Sequence, residues 1–232
     1  MHPAPGTIIM ATTITTMTDM PLIRLLAWLS PAFPTGGYAY SHGLEWAVDT
    51  NEITDGDTLK AWLADVLANG SGRNDTILLR HAHRSANDPE ALSDIIELGR
   101  ATAASRERHA ESLAQGNAFA TAAVAWASIA LPANAPYPIA VGALTGANSI
   151  DEDDAAAAYL QAFATNLISA AVRLVPLGQN AGLRVLAALE PVILATAADT
   201  KTATLDDLGG CVFRSDIAAM RHETQYTRLF RS

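Results

Sequence analysis

The sequence has little cysteine: Cys211 is the only one among 232 residues. A single cysteine cannot form an internal disulfide, and it cannot supply a paired-cysteine metal motif. Free thiols are typical of a reducing compartment, so we expect a cytoplasmic protein, although secreted proteins can also lack disulfides.

The sequence also lacks a cluster of positive charge. Lysine and arginine number 15 against 24 acidic residues, which gives a net charge of −9. An acidic chain without a basic patch is unsuited to nucleic acid or an anionic membrane surface. The longest apolar run, residues 118–131, is shorter than the roughly 20 residues that span a bilayer. We therefore expect neither a nucleic-acid nor a membrane partner.

No catalytic or nucleotide-binding motif is present. The sequence contains no phosphate-binding loop, no GxSxG elbow and no HExxH pair. Ser41 and His42 are neighbours, but an activated serine also needs an orienting third group. His42 and Glu45 fall at i and i+3 of a predicted helix and could share a metal ion, yet transition-metal sites usually need three or four ligands. We expect no catalytic, metal or cofactor-binding residues; the alternative is a small all-α enzyme that uses His42 and Glu45.

Half of the residues are hydrophobic and alanine is abundant, which favours helices around one sizeable core. We predict an all-α, single-domain bundle of about eight to ten helices over residues 21–232. Residues 1–20 are predicted to be a disordered leader, because they lack the basic and apolar regions of a signal peptide. The predicted helices span residues 21–29, 40–49, 57–69, 73–84, 89–102, 105–129, 139–147, 151–175, 179–198 and 215–229.

Arg173 lies in an apolar stretch of a predicted buried helix. A buried arginine is costly unless a carboxylate or helix-end carbonyls pair with it. One interpretation is a salt bridge within the subunit. The other is an anchor at a protein interface, where arginine is enriched. The sequence leaves both open.

The last residues are locally basic on an acidic protein. A helix beginning at Ser215 would place Arg221, Gln225, Arg228 and Ser232 on one polar stripe, followed by an apparently exposed aromatic, Phe230. Such an end is either frayed, as termini commonly are, or a docking segment.

Residues 29–45 are broken by two prolines and two adjacent glycines and are rich in aromatic and polar groups. This stretch and four later ones resemble the motifs of the urease accessory protein UreF family, in order and with plausible spacing. The five motifs are Leu29-Ser-Pro-Ala-Phe-Pro-Thr-Gly-Gly-Tyr-Ala-Tyr-Ser-His-Gly-Leu-Glu45, Glu111-Ser-Leu-Ala-Gln-Gly116, Tyr137-Pro-Ile-Ala-Val-Gly142, Ala171-Val-Arg-Leu-Val-Pro-Leu-Gly-Gln179 and Asp216-Ile-Ala-Ala-Met-Arg-His-Glu-Thr-Gln-Tyr-Thr-Arg-Leu-Phe-Arg-Ser232.

The resemblance implies an all-α cytoplasmic chaperone that forms a homodimer. It would bind the accessory protein UreD, called UreH in some species, and recruit the GTPase UreG. The assembly would deliver nickel into apo-urease, so nickel is handled by the complex and no cofactor is bound stably by this chain. The chain itself would be non-catalytic and would at most modulate the partner GTPase.

The resemblance also implies roles for single residues. Tyr38, Tyr40, His42 and Glu45 would shape a surface or cavity shared with partners, and Arg173 and Gln179 would support the dimer or that cavity. Residues 215–232 would form a partner-docking segment, ordered against UreD through Arg221, His222, Arg228, Leu229 and Phe230. Two alternatives stay open: a carrier that binds nickel directly, and an arginine finger, Arg228, that acts on the GTPase.

Overall fold

The computed structural model describes residues 20–127, 129 and 131–232. Apart from Met20, the predicted leader lies outside them. Ten α-helices and three short 3-10 helices make up the regular structure of the described residues, which contain no strand. The all-α prediction of eight to ten helices is confirmed. The helices are α1 (Met20–Trp28), α2 (Leu44–Asp49), α3 (Gly56–Asn69), α4 (Ser71–Arg84), α5 (Pro89–Ala101), α6 (Arg106–Ala122), α7 (Tyr137–Ala147), α8 (Glu152–Leu174), α9 (Gln179–Asp199) and α10 (Phe213–His222).

Polar side chains fix the start of several helices. Asp55 accepts a hydrogen bond from the backbone N–H of Thr58, whose hydroxyl accepts one from the N–H of Asp55. Asp151 caps α8 by accepting from the backbone N–H groups of Asp153 and Asp154. These side chains satisfy N–H groups that have no partner within the helix, so the helix starts could be predicted closely.

Three predicted helix boundaries are wrong. α2 begins at Leu44 rather than residue 40, because His42 and Gly43 have φ angles of 56° and 75° in the left-handed region. α6 ends at Ala122 rather than residue 129, and a 3-10 turn over Ala123–Ala125 follows it. α10 ends at His222 rather than residue 229.

Two groups of buried apolar side chains form the core. One joins α2, α3, α8 and α9, and the other joins α1 and α4 to α7. α8 supplies both, since Leu160 lies in the first and Tyr159 in the second. The two groups therefore meet along α8, which ties the halves of the bundle together.

Two helices, α8 and α9, are long and apolar enough to cross a membrane by length and composition alone. Half of the apolar window of α8 and a third of that of α9 are buried inside the protein. The core helices of ordinary globular proteins meet the same criterion, so this is weak evidence for a membrane span.

Helices α4 and α7 pack closely against each other at two glycines of α7. A Cβ atom at Gly142 would collide with the backbone carbonyl of Leu79, and one at Gly146 would collide with that of His83. Side chains as small as alanine would therefore force the two backbones apart.

We expect Gly142→Ala to lower the free energy of unfolding by about 1–3 kcal/mol, because overpacking outweighs the better helix propensity of alanine. Urea unfolding followed by circular dichroism measures the change. Gly56→Ala is the matched control, because its Cβ would lie 3.5 Å from Val185, an ordinary contact. Equal stability of the Gly142→Ala variant and the wild type would contradict the close approach.

Candidate functional site

The loop between α1 and α2, residues 29–43, lies against the backbone of α10. Gly36, His42 and Gly43 all have positive φ angles, which turn the chain sharply within a few residues. A Cβ atom at Gly43 would collide with the backbone of Ala218 and Ala219 on α10. The sharp turn at His42 and Gly43 thus brings the loop into direct backbone contact with α10.

The C-terminal segment, residues 223–232, returns across this loop. The backbone N–H of Ser41 donates to the carbonyl oxygen of Ser232 at 2.7 Å, and the Ser41 hydroxyl donates to the same oxygen. The N–H of Arg231 donates to the carbonyl of Ala39 at 2.8 Å. The segment is therefore held by main-chain hydrogen bonds to residues almost 200 positions earlier.

Glu45 provides the strongest link between the loop region and the segment. Its buried carboxylate accepts hydrogen bonds from the backbone N–H groups of Leu229, at 2.6 Å, and Phe230, at 2.9 Å. The same carboxylate lies 3.2 Å from Nε2 of His222. A buried carboxylate needs several donors to replace water, and here all three come from α10 and the segment after it.

His222 is fully buried between two carboxylates. Its Nδ1 lies 2.7 Å from Glu107 on α6, and its Nε2 faces Glu45 on α2. Arg228 completes the group by donating to the other oxygen of Glu107 at 2.8 Å. Polar side chains from α2, α6, α10 and the segment thus meet at one point.

The structure reverses two predictions about burial. Phe230 was expected to be exposed, but only 4% of it is, and it joins the core of α2, α3, α8 and α9. Arg173 was expected to be buried, but it is exposed, and it forms no salt bridge with any residue that the structure describes. Its guanidinium lies over the Phe230 ring, 4.3 Å from the centroid, and donates to the carbonyl of Tyr38 at 2.7 Å. Arg173 therefore covers the buried aromatic and ties it to the loop.

A second cluster of buried polar side chains, centred on Glu111, lies next to the cluster around His222. Glu111 accepts from Arg108 at 2.6 Å, from Gln115 at 2.8 Å and from the hydroxyl of Ser232 at 2.7 Å. Glu45 thus holds the segment at Leu229 and Phe230, and Glu111 holds it at Ser232, so the two carboxylates together fix its last four residues.

His42 belongs to this second group and not to Glu45. Its Nδ1 lies 3.1 Å from Arg108 and 3.2 Å from Glu111. Burial, reinforced by the nearby Arg108 charge, holds the pKa of His42 well below its usual range, so the imidazole is neutral. The i, i+3 helix spacing on which the shared-metal alternative for His42 and Glu45 rested is absent, because α2 begins only at Leu44. His42 lies outside the helix, and each residue binds its own partners.

Two cavities, of about 380 and 360 Å³, share a polar wall formed by His42, Asp75, Arg108 and Ser112. The loop lines the first cavity, and α10 with residues 209–211 lines the second. Asp75 accepts a hydrogen bond from the Tyr159 hydroxyl at 2.9 Å. Burial raises the pKa of Asp75 from 3.8 to about 6, against the opposing effect of Arg108.

The other predicted site residues lie around this centre. Tyr40 is buried under the loop, whereas Tyr38 is 72% exposed. Arg221, Arg228 and Leu229 are exposed on α10 and the segment, and Gln179 is exposed at the start of α9. The sequence analysis did not select Asp75, Glu107, Arg108 or Glu111 as site residues. Glu111 and Gln115 stand four positions apart within a quoted motif, and this spacing on one helix face was the available signal.

The chemistry of the site is that of a closed, internally paired network. Glu45, Glu107 and Glu111 are all engaged by donors of the same chain. Among the described ranges, no group of three or more histidine, cysteine, aspartate or glutamate side chains is arranged to hold a metal ion. These carboxylates serve to join the loop, α6, α10 and the segment into one surface.

Comparisons with known proteins agree with the quoted motifs. The UreF family model matches residues 53–190, more than half of the chain. A urease accessory protein UreF from Mesorhizobium japonicum is 50% identical over 223 residues, covering 93% of this chain and all of the relative. A UreF from Rhodopseudomonas palustris is 48% identical over 91% of this chain and 92% of its own length. A UreF 1 from Brucella anthropi is 47% identical over 95% of this chain and 98% of its own length.

We expect Glu45→Ala to destabilise the chain by about 3 kcal/mol, because it leaves His222 and two buried N–H groups without their acceptor. Trypsin should then cleave after Arg221 and Arg228 at least about tenfold faster, which timed digestion with mass spectrometry measures. Glu97→Ala, at an exposed position of α5, is the matched control. Unchanged cleavage in the Glu45→Ala variant would show that Glu45 does not hold the segment.

The substitution Asp75→Asn tests the raised pKa of Asp75 in the wall that the two cavities share. Folded Asp75 holds its proton more tightly than the unfolded chain, so the wild type loses stability as pH rises through about 6. We expect the variant to lack this loss and to be more stable than the wild type by about 1–2 kcal/mol at pH 7, with no difference near pH 4. Chemical unfolding at both pH values measures this, with exposed Asp94→Asn as the control. A variant less stable than the wild type at pH 7 would contradict the assignment.

Proposed function

Because the chain belongs to the UreF family of urease accessory proteins, we propose that it is a non-catalytic chaperone of urease maturation in the cytoplasm. In this proposal the chain forms a homodimer, binds UreD (UreH) and recruits the GTPase UreG. The assembly inserts nickel into apo-urease. Nickel is then the cargo of the complex, and this chain keeps no cofactor of its own.

The proposal rests mainly on one observation: the first and the last quoted motifs meet in the structure and form one surface. The first quoted motif contains Glu45, and the last contains His222 to Ser232. The Glu45 carboxylate binds His222 and the Leu229 amide, and so joins the last motif to the first. Around this buried joint the structure exposes Tyr38, Tyr226 and Leu229. Exposed aromatic side chains with neighbouring arginines are enriched at the energetic centres of protein interfaces.

The joint also bears on how UreD would bind. That UreD orders the C-terminal segment stays a prediction. The contacts of Glu45 and His222 support a narrower version, in which UreD covers a segment that the chain already holds. A pre-ordered surface reduces the entropy that is lost on binding, so the affinity for UreD would be higher than for a free tail.

An exposed apolar face on α1 supports the homodimer. Met20, Leu22, Ile23 and Leu26 are each about half exposed or more. They lie beside a groove between α1 and the first turns of α8. A contiguous apolar face of this kind marks a protein interface more often than a free surface. Arg173 and Gln179, proposed for the dimer or the shared cavity, lie at the other end of α8 and the start of α9.

Co-purification with UreD and UreG, followed by urease activation in a strain that lacks this chain, tests the proposal. We expect the wild type to restore activity. Leu229→Asp should reduce recovery of UreD and urease activity by about tenfold or more, because it places a charge at the centre of the surface. Leu194→Asp is the matched control, since Leu229 is 66% exposed and Leu194 is 63% exposed on α9.

The outcomes separate the claims. A wild type that fails to restore urease would contradict the function, and a Leu229→Asp variant with normal UreD recovery would remove the segment from the partner surface. Nickel titration of the purified chain distinguishes a direct nickel carrier from a scaffold. Tight stoichiometric binding that is lost in His42→Ala would favour a carrier over a scaffold.

A further inference from the structure

We propose that His222 is a proton-dependent clasp, so that the C-terminal segment docks on its own chain only while both ring nitrogens of His222 carry protons. The proposal goes beyond the function proposed above, because it concerns the chain alone and needs no partner.

Each ring nitrogen of His222 is paired with a carboxylate. Nδ1 faces a carboxylate oxygen of Glu107 at 2.7 Å, and Nε2 faces one of Glu45 at 3.2 Å. An ionised carboxylate only accepts hydrogen bonds, and an imidazole donates from both nitrogens only as a cation. A neutral His222 would turn one bare nitrogen towards a carboxylate oxygen, lone pair against lone pair.

The second argument is the charge balance around the ring. Glu45 from α2 and Glu107 from α6 face His222 directly, and Arg228 from the segment binds Glu107. Two negative and two positive groups balance only when His222 is charged. The next acidic residue, Glu223, is paired with Arg106 and accepts from backbone N–H groups at the start of α6. A neutral His222 would therefore leave one uncompensated negative charge in a buried site, which is strongly unfavourable.

The third argument is the path from the ring to the segment. The Glu45 carboxylate that meets His222 also holds the N–H groups of Leu229 and Phe230. Glu107 likewise meets both His222 and Arg228. Loss of the His222 proton therefore weakens both anchors of the segment together. When the segment leaves, Phe230 leaves the core and the slot beneath Arg173 opens.

The direction of the pH effect follows from the charge. Docking is favoured at the lower pH and weakens as pH rises, because only the doubly protonated imidazole can donate to both carboxylates. Two other groups near the loop do not fit this role. The pKa of His42 lies well below its usual range, so His42 stays neutral. Asp75 titrates near pH 6, but its hydrogen bond goes to Tyr159 and not to the segment.

Nuclear magnetic resonance of the full ¹⁵N-labelled chain tests the clasp without any partner. The heteronuclear NOE of the Leu229, Phe230 and Arg231 amides reports their order between about pH 5.5 and 8.5, and the His222 imidazole is titrated in the same samples. We expect these amides to be ordered at low pH. The undocked population should rise by about tenfold or more between the lowest and the highest pH, since hydrogen bonds to charged groups are lost.

Variants separate the clasp from other titrations. His222→Gln should remove the pH dependence, whereas His81→Gln on α4 and Asp75→Asn should keep it. Glu107→Gln provides a second route if His222→Gln does not fold. Its amide can donate to a neutral imidazole nitrogen, so the pH dependence should shrink. Amides that stay ordered at every pH in the wild type would overturn the clasp. So would an unchanged pH dependence in His222→Gln or Glu107→Gln, or its loss in Asp75→Asn.

Discussion

The carboxylate of Glu45 is the interaction on which the candidate surface depends. It is buried, and it replaces its water with two backbone N–H groups of the C-terminal segment and the ring of His222. Because an unpaired buried carboxylate is very costly, these contacts favour one another. One side chain on a six-residue helix thereby holds three residues at the other end of the chain, His222, Leu229 and Phe230.

The polar interior around Glu45 joins separate elements of the chain. Its carboxylates bind donors of the same chain, and its neutral histidine, His42, lies against Arg108. His42 and Arg108 also belong to the wall that the two cavities share. This arrangement suits a protein that presents shaped surfaces to other proteins, as expected for a UreF family member.

The sequence predicted the fold class and most helix starts well, because helix periodicity and capping are local properties. The helices predicted to begin at residues 57, 89, 105 and 151 begin within one residue of those positions. The site was harder to predict because it depends on contacts between residues 45 and 230, which no local pattern reveals. The same contacts explain why Phe230 is buried and why the last helix stops at His222: the chain leaves the helix there to reach the loop. The quoted motifs still selected Glu45 and His222, although for a role with a partner.

The central claim is that the chain holds its own C-terminal segment before any partner binds. Hydrogen–deuterium exchange of the purified wild-type chain, alone and at about pH 5.5, where the clasp keeps the segment docked, tests it most directly. The account predicts that the amides of Leu229, Phe230 and Arg231 exchange far more slowly than those of an unstructured peptide, since each donates to an acceptor in the loop or α2. Exchange of these three amides at the unstructured rate would contradict the account.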